Sequence, residues 1–112
     1  SISPEMINQM EQQSIIKFYS PFCGNCQKFI PIFTKLEKTF PQFQFYEVDC
    51  SEFNKECDQL KIFGVPHVRI YKKLDKFSDY KGENSFDALS RFIEQQLGNI
   101  KKSEQISQTN SE

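Results

Sequence analysis

The sequence predicts an α/β fold, a small mixed central sheet flanked by helices on both faces, and three observations carry that prediction. The elements run helix, strand, helix, strand, helix, strand, strand, helix, so parallel crossovers come first and an antiparallel hairpin last. At 112 residues there is room for one domain and not two. Twelve Phe in a chain that is 38% hydrophobic suffice for a core without covalent staples. The expected organisation is one domain over residues 1–98 and a polar, disordered tail over 99–112.

Each element has its own local reason. Ser3-Pro4-Glu5 opens a short amphipathic helix: Ser3 caps it, Pro4 takes the first helical position, and Met6, Ile7 and Met10 fall on one side. Ser14 to Ser20 is rich in β-formers with little alternation, as in a strand buried on both faces, and Lys17 in its middle is an anomaly. From Cys23 to Phe40 the spacing of Phe29, Ile30, Phe33, Leu36 and Phe40 predicts a long helix, kinked at Pro31 for want of an N–H. Phe43 to Asp49 is a second strand, and Ser51 caps a short helix whose Phe53, Cys57 and Leu60 share one face, turning Cys57 inward. Gly64-Val65-Pro66 then breaks the chain. His67 to Tyr71 alternates, with Val68 and Ile70 on one face and His67, Arg69 and Tyr71 on the other. A turn at Lys73-Leu74-Asp75-Lys76 leads into Phe77 to Tyr80. A final helix runs from a Ser85 cap through Phe86, Leu89, Phe92, Ile93 and Leu97 and stops at Gly98.

Composition excludes several functions. Fourteen Lys and Arg against fifteen Asp and Glu give a net charge of -1, so no basic field exists to hold nucleic acid or an anionic membrane. The longest apolar runs are far below the roughly 20 residues of a membrane span, and the first residues have no basic start and apolar stretch of a secretory leader. No cofactor is called for. Four cysteines fall short of the roughly 8–10% of disulfide-scaffold miniproteins, and they occur as two close pairs.

The first pair carries chemistry. Cys23-Gly24-Asn25-Cys26 lies between a buried strand and a helix start, where unpaired N–H groups and the positive end of the dipole make the first thiol more acidic and more reactive. Cys23 is then the nucleophile, and Cys26, one turn in, can attack a mixed disulfide formed at Cys23 and release its partner. The reaction class is thiol–disulfide exchange.

From Ser14 to about Leu97 the chain resembles the thioredoxin superfamily, and more narrowly the catalytic domains of protein disulfide isomerases. The likeness rests on Phe18-Tyr19-Ser20-Pro21-Phe22-Cys23-Gly24-Asn25-Cys26, on Pro31 eight residues after Cys23, on Val48-Asp49-Cys50 and on Gly64-Val65-Pro66. It implies a thioredoxin fold, a cis Pro66 facing the active-site disulfide, and a substrate-docking backbone at Val65-Pro66. It also implies a structural disulfide between Cys50 and Cys57. Such a bond would tie a strand end to the next helix, stabilise the fold by roughly 2.5 kcal/mol in the chain-entropy model, and persist in an oxidising compartment. The endoplasmic reticulum lumen is therefore the expected location, with two free buried cysteines in a cytoplasmic thioredoxin as the alternative.

Four positions depart from the family pattern. Phe22 replaces a Trp and keeps an apolar cover. Asn25 replaces the isomerase His, and a neutral amide cannot stabilise a thiolate as an imidazolium does, so a more reducing disulfide is expected. Lys17 stands where the family has a buried carboxylate that shuttles a proton for the second cysteine; it can favour the Cys26 thiolate or snorkel away, but it is a poor base. Asn84 stands where isomerases often carry an Arg. His67, beside the expected cis proline, either brings its ring to Cys23 or is a half-exposed strand residue, the second reading being preferred.

The expected function is that of a disulfide isomerase-like oxidoreductase acting on cysteine-containing client proteins, recycled by a redox partner, as a monomeric domain that can belong to a longer chain. The redox-tuning set is Gly24, Asn25, Lys17 and His67, and the substrate-binding set is Phe22, Val65 and Pro66. The alternative is a client- or partner-binding module of the same fold with little turnover. A zinc site built from all four cysteines is weaker, because the second pair's spacing is a poor chelate; no metal is expected.

Overall fold

A computed structural model describes residues 2–9, 13–73 and 76–104. Four strands, β1 (Ser14–Tyr19), β2 (Gln44–Asp49), β3 (His67–Lys73) and β4 (Lys76–Asp79), form one sheet in the order β2-β1-β3-β4. β1 pairs parallel with β2 and antiparallel with β3, and β3 pairs antiparallel with β4. The central place of β1 explains its unalternated sequence: Ile15, Ile16 and Phe18 are all fully buried.

Helices cover both faces of this sheet. On one, α1 (Gly24–Thr39) buries Phe29, Phe33 and Leu36, and the Phe33 ring meets Phe45 of β2 edge-on at 5.4 Å. Pro31 lies inside α1. On the other face, Ile7 of the opening segment and Cys57 of α2 (Asn54–Gln59) pack in one cluster with Ile16, Phe18, Val48, Ile62 and Tyr71. That packing holds the start of α1 and the loop before β3 over the same end of the sheet, where Cys23 meets Val65.

Three local details differ from the sequence reading. The opening helix is a 3-10 helix over Pro4–Gln9, the form common for so short a piece. Ser51 does not cap α2: its N–H and its hydroxyl both donate to Asp49 Oδ1, at 2.9 and 2.7 Å, and Phe53 holds the cap position without a side-chain bond. Asp49 makes an Asx turn and occupies the serine first. At its other end α2 closes with Lys61 in the left-handed region at φ 66°, with N–H bonds from Lys61 to Asp58 O and from Ile62 to Cys57 O. This is a Schellman closure with a lysine where glycine is usual, so the sequence carries no local signal for it.

The second compact unit, residues 82–112, is built on α3 (Phe86–Glu104). Ser85 Oγ accepts the Ala88 N–H at 3.2 Å, and Leu89 and Ile93 are fully buried. The helix does not stop at Gly98 but continues to Glu104. Glycine ends helices by adopting positive φ, and no described glycine does so here. Residues 99–104 of the expected disordered tail are therefore helical, and 105–112 lie outside the described residues. No described helix is long and apolar enough to cross a membrane.

Candidate active site

The turn Ser20-Pro21-Phe22 delivers the chain from β1 into α1. Ser20 Oγ accepts the Phe22 N–H at 3.1 Å and Ser20 O accepts the Cys23 N–H at 3.2 Å, which sets Cys23 as the N-cap of α1 in an extended conformation. Its sulfur does the work of a capping oxygen, accepting the Cys26 N–H at 3.1 Å. Cys23 Sγ also lies 3.7 Å from the carbonyl oxygen of Val65, and the Val65–Pro66 peptide bond is cis. The dithiol and the proline loop thus meet although 42 residues separate them.

The two thiols are held in different states. A hydrogen bond from the Cys26 thiol keeps Cys23 below a thiol's ordinary 9.0; the N–H groups of Cys26 and Asn25 add to this, against a smaller opposing effect of burial. Cys26 is only 2% exposed, and burial, reinforced by its bond to Cys23, pushes its thiol up to about 11. The N–H groups that stabilise the Cys23 sulfur belong to the first turn of α1, where no intrahelical acceptor exists for them. Gly24 and Asn25 are exposed.

Exposure around Cys23 is apolar. Phe22 is 87% exposed and Phe63 is 78% exposed, and each flanks one side of the Cys23–Val65 contact in sequence. The second cysteine pair is a disulfide, Cys50 to Cys57, with a Cα separation of 5.8 Å, bracing the end of β2 to α2. Oxidised to each other, these two offer no thiolate to a metal, and no described group of three or more His, Cys, Asp or Glu could hold one.

Lys17 does not snorkel to solvent. Its side chain is 4% exposed, with Nζ 3.7 Å from Glu47 Oε1 and over the rings of Tyr19 and Phe33 at 5.4 and 5.0 Å. His67 is brought to Asp79: Nε2 lies 2.8 Å from Asp79 Oδ1, and the ring meets Phe18 edge-on. Arg69, 2% exposed, donates to the same carboxylate from Nε at 2.6 Å and to the Tyr71 hydroxyl at 3.2 Å, under the Phe77 ring. Asn84 is exposed, just before α3. Sequence reasoning missed Glu47 and Asp79; the available signal was Lys17 in a strand buried on both faces, which requires a carboxylate on a neighbouring strand, whereas Arg69 read as part of a polar face and gave none.

A mixed sheet presenting a cysteine pair at a helix start, against a cis proline, defines a dithiol domain of the thioredoxin fold. The thioredoxin family model matches residues 4–95, and the chain belongs to that family. It is 30% identical over 103 residues to a putative protein disulfide-isomerase of Schizosaccharomyces pombe, an alignment covering 86% of this chain and 20% of that protein. To protein disulfide-isomerase 1 of Dictyostelium discoideum it is 33% identical over 84 residues, 70% of this chain and 23% of the other. The chain therefore spans about a fifth to a quarter of these relatives. Oxidised thioredoxin from Plasmodium falciparum superposes with a TM-score of 0.69 at 26% identity, covering 82% of this chain and 86% of that one. The Trx4 domain of ERdj5 superposes at 0.75 and 22% identity, covering 86% and 92%, a likeness of fold.

Proposed function

We propose that this domain exchanges disulfides with cysteines of client proteins, as a disulfide isomerase-like oxidoreductase. One observation carries the reading: two thiols one helical turn apart, the outer held toward thiolate by the Cys26 thiol and by N–H groups, the inner buried and protonated. Cys23 attacks a client disulfide and forms a mixed disulfide, and Cys26 resolves it. Val65 and Pro66 offer backbone beside the nucleophile, and exposed Phe22 and Phe63 give a client's apolar segment a place to rest. Gly24 leaves the approach to Cys23 open, with nothing within 4 Å of where a Cβ would stand.

Turnover is lower than in an isomerase with the usual residues. Asn25 gives Cys23 no cationic neighbour, Lys17 carries no basic oxygen, and Asn84 brings no guanidinium. His67 acts through Asp79, fixing β3 to β4 behind the proline. The domain works in the endoplasmic reticulum lumen, where the Cys50–Cys57 bond persists and a redox partner recharges the dithiol; the disulfide isomerase relatives support this location.

Equilibration in glutathione buffers, with trapping and mass counting of thiols, tests the reading. One pair, Cys23 and Cys26, is expected to titrate between the buffer limits while Cys50 and Cys57 stay resistant. Four thiols free across the whole range would defeat it. A binding module of the same fold would instead titrate normally and fail to reduce insulin.

A further inference from the structure

A cavity of about 540 Å3 on the α1 side of the sheet is lined by Lys17, Tyr19, Cys26, Phe33, Glu37 and Glu47, among others. It connects the buried second cysteine to a carboxylate that the exchange chemistry has not used. We propose that Glu47 accepts the proton Cys26 must give up when it resolves a mixed disulfide, through water in this cavity, with Lys17 holding the carboxylate in place. The proposal rests on the exchange reading above.

The need for an acceptor follows from the thiol itself. Burial is the largest of the effects that raise the Cys26 thiol, and it persists when Cys23 is tied to a client, so little of Cys26 carries the attacking thiolate at neutral pH. Lys17 faces the same cavity, but an ammonium has three donors and no lone pair. Tyr19 offers a hydroxyl oxygen, far less basic than a carboxylate. Glu37 lies eleven residues beyond Cys26 on α1, roughly 16 Å along the axis. Glu47 is the direct partner of Lys17 in the parallel register of β1 with β2, its carboxylate 3.7 Å from Nζ. Its side chain is 43% exposed, so one oxygen can face the cavity while the group still exchanges protons with solvent. The cavity walls are mostly apolar, but Lys17, Tyr19 and Glu47 face the space together with Cys26, so bridging waters have both room and polar partners there.

In the Cys23–client mixed disulfide, the Cys26 proton passes through water to Glu47, leaving Cys26 as thiolate. That sulfur attacks Cys23 Sγ; the Cys23–Cys26 bond forms, the Cys23–client bond breaks, and the client sulfur departs with the electron pair. The domain's dithiol is oxidised and the client disulfide reduced. Glu47 returns its proton to solvent, and the client thiolate takes one up.

Rapid mixing of the reduced domain with oxidised glutathione, quenched in acid and read by mass, resolves formation of the glutathionylated domain from its loss. For Glu47→Gln, formation is expected at the wild-type rate and loss about 100-fold slower at pH 7. The loss rate should then rise about tenfold per pH unit toward the Cys26 value, whereas wild type stays flatter. Glu47→Asp should recover most of the rate, and Glu37→Gln should match wild type throughout. An unchanged loss rate and pH profile in Glu47→Gln would overturn the role of Glu47 while leaving the exchange reading intact. Failure of the wild-type domain to form the glutathionylated species would overturn both.

Discussion

Cys23→Ser is expected to abolish disulfide exchange, by about 1000-fold or more, while leaving the fold intact. The two halves of that expectation have one cause. Cys23 is the N-cap of α1 and its sulfur accepts the Cys26 N–H at 3.1 Å; serine is among the best residues for that position and keeps the bond. A hydroxyl, however, has no accessible anion at neutral pH and cannot form a disulfide. Insulin reduction measures the activity, and urea unfolding checks that stability moves by less than about 0.5 kcal/mol. Cys26→Ser should behave differently: Cys23 still attacks, and the mixed disulfide accumulates for want of a resolving thiol. Residual turnover in Cys23→Ser would assign the chemistry elsewhere.

Asp79→Asn is expected to cost about 2–4 kcal/mol, because it strips a buried guanidinium of its countercharge. Arg69 is 2% exposed and receives its countercharge from Asp79 through Nε and Nη2, at 2.6 and 3.4 Å, while His67 holds the same carboxylate at 2.8 Å. Removing the charge leaves a buried guanidinium against Phe18 and Phe77. Breaking a fully buried pair costs about 3–5 kcal/mol; Asp79 keeps 24% of its side-chain exposure, so water offsets part of the loss. Burial opposes ionisation of Asp79, and the bonds from Arg69 and His67 outweigh it, holding the carboxyl below its ordinary 3.8. The unfolded chain therefore takes up the proton first as pH falls. The stabilisation is complete above about 3.8 and is lost below it, so the gap between wild type and variant should close in acid. Urea unfolding at pH 7 and at pH 3 reads both effects, and equal stability at pH 7 would contradict the account.

Both carboxylates that organise this domain were invisible to local pattern. The Cys23-Gly24-Asn25-Cys26 tetrapeptide, the unalternated β1 and the periodic face of α1 are legible because each is a short-range fact: a spacing, a propensity, a helix start. Glu47 matters because a parallel crossover sets β2 in register with β1 opposite Lys17, and Asp79 because a hairpin sets it opposite Arg69. Register between β1 and β2, thirty residues apart at Lys17 and Glu47, is decided by packing of the whole sheet and has no local signature, and the hairpin pairing of Asp79 gains its weight only from the burial of Arg69. The alternation of β3 illustrates the same limit. His67, Arg69 and Tyr71 read as the polar face of a strand, yet Arg69 and Tyr71 are buried, because the ion pair and the cluster around Ile7 and Ile62 cover them. At α2, Ser51 fits a cap pattern, and Asp49 takes it by an equally local bond that the pattern does not rank. The end of α3 fails for a simpler reason: glycine permits a helix stop without requiring one.

The two thiols differ in acidity, and residue-resolved alkylation against pH measures that difference. With the domain reduced only at the Cys23–Cys26 pair, iodoacetamide should modify Cys23 with a midpoint below 9.0, and Cys26 should resist until pH approaches about 11. Equal reactivity of the two, or Cys26 reacting first, would contradict it.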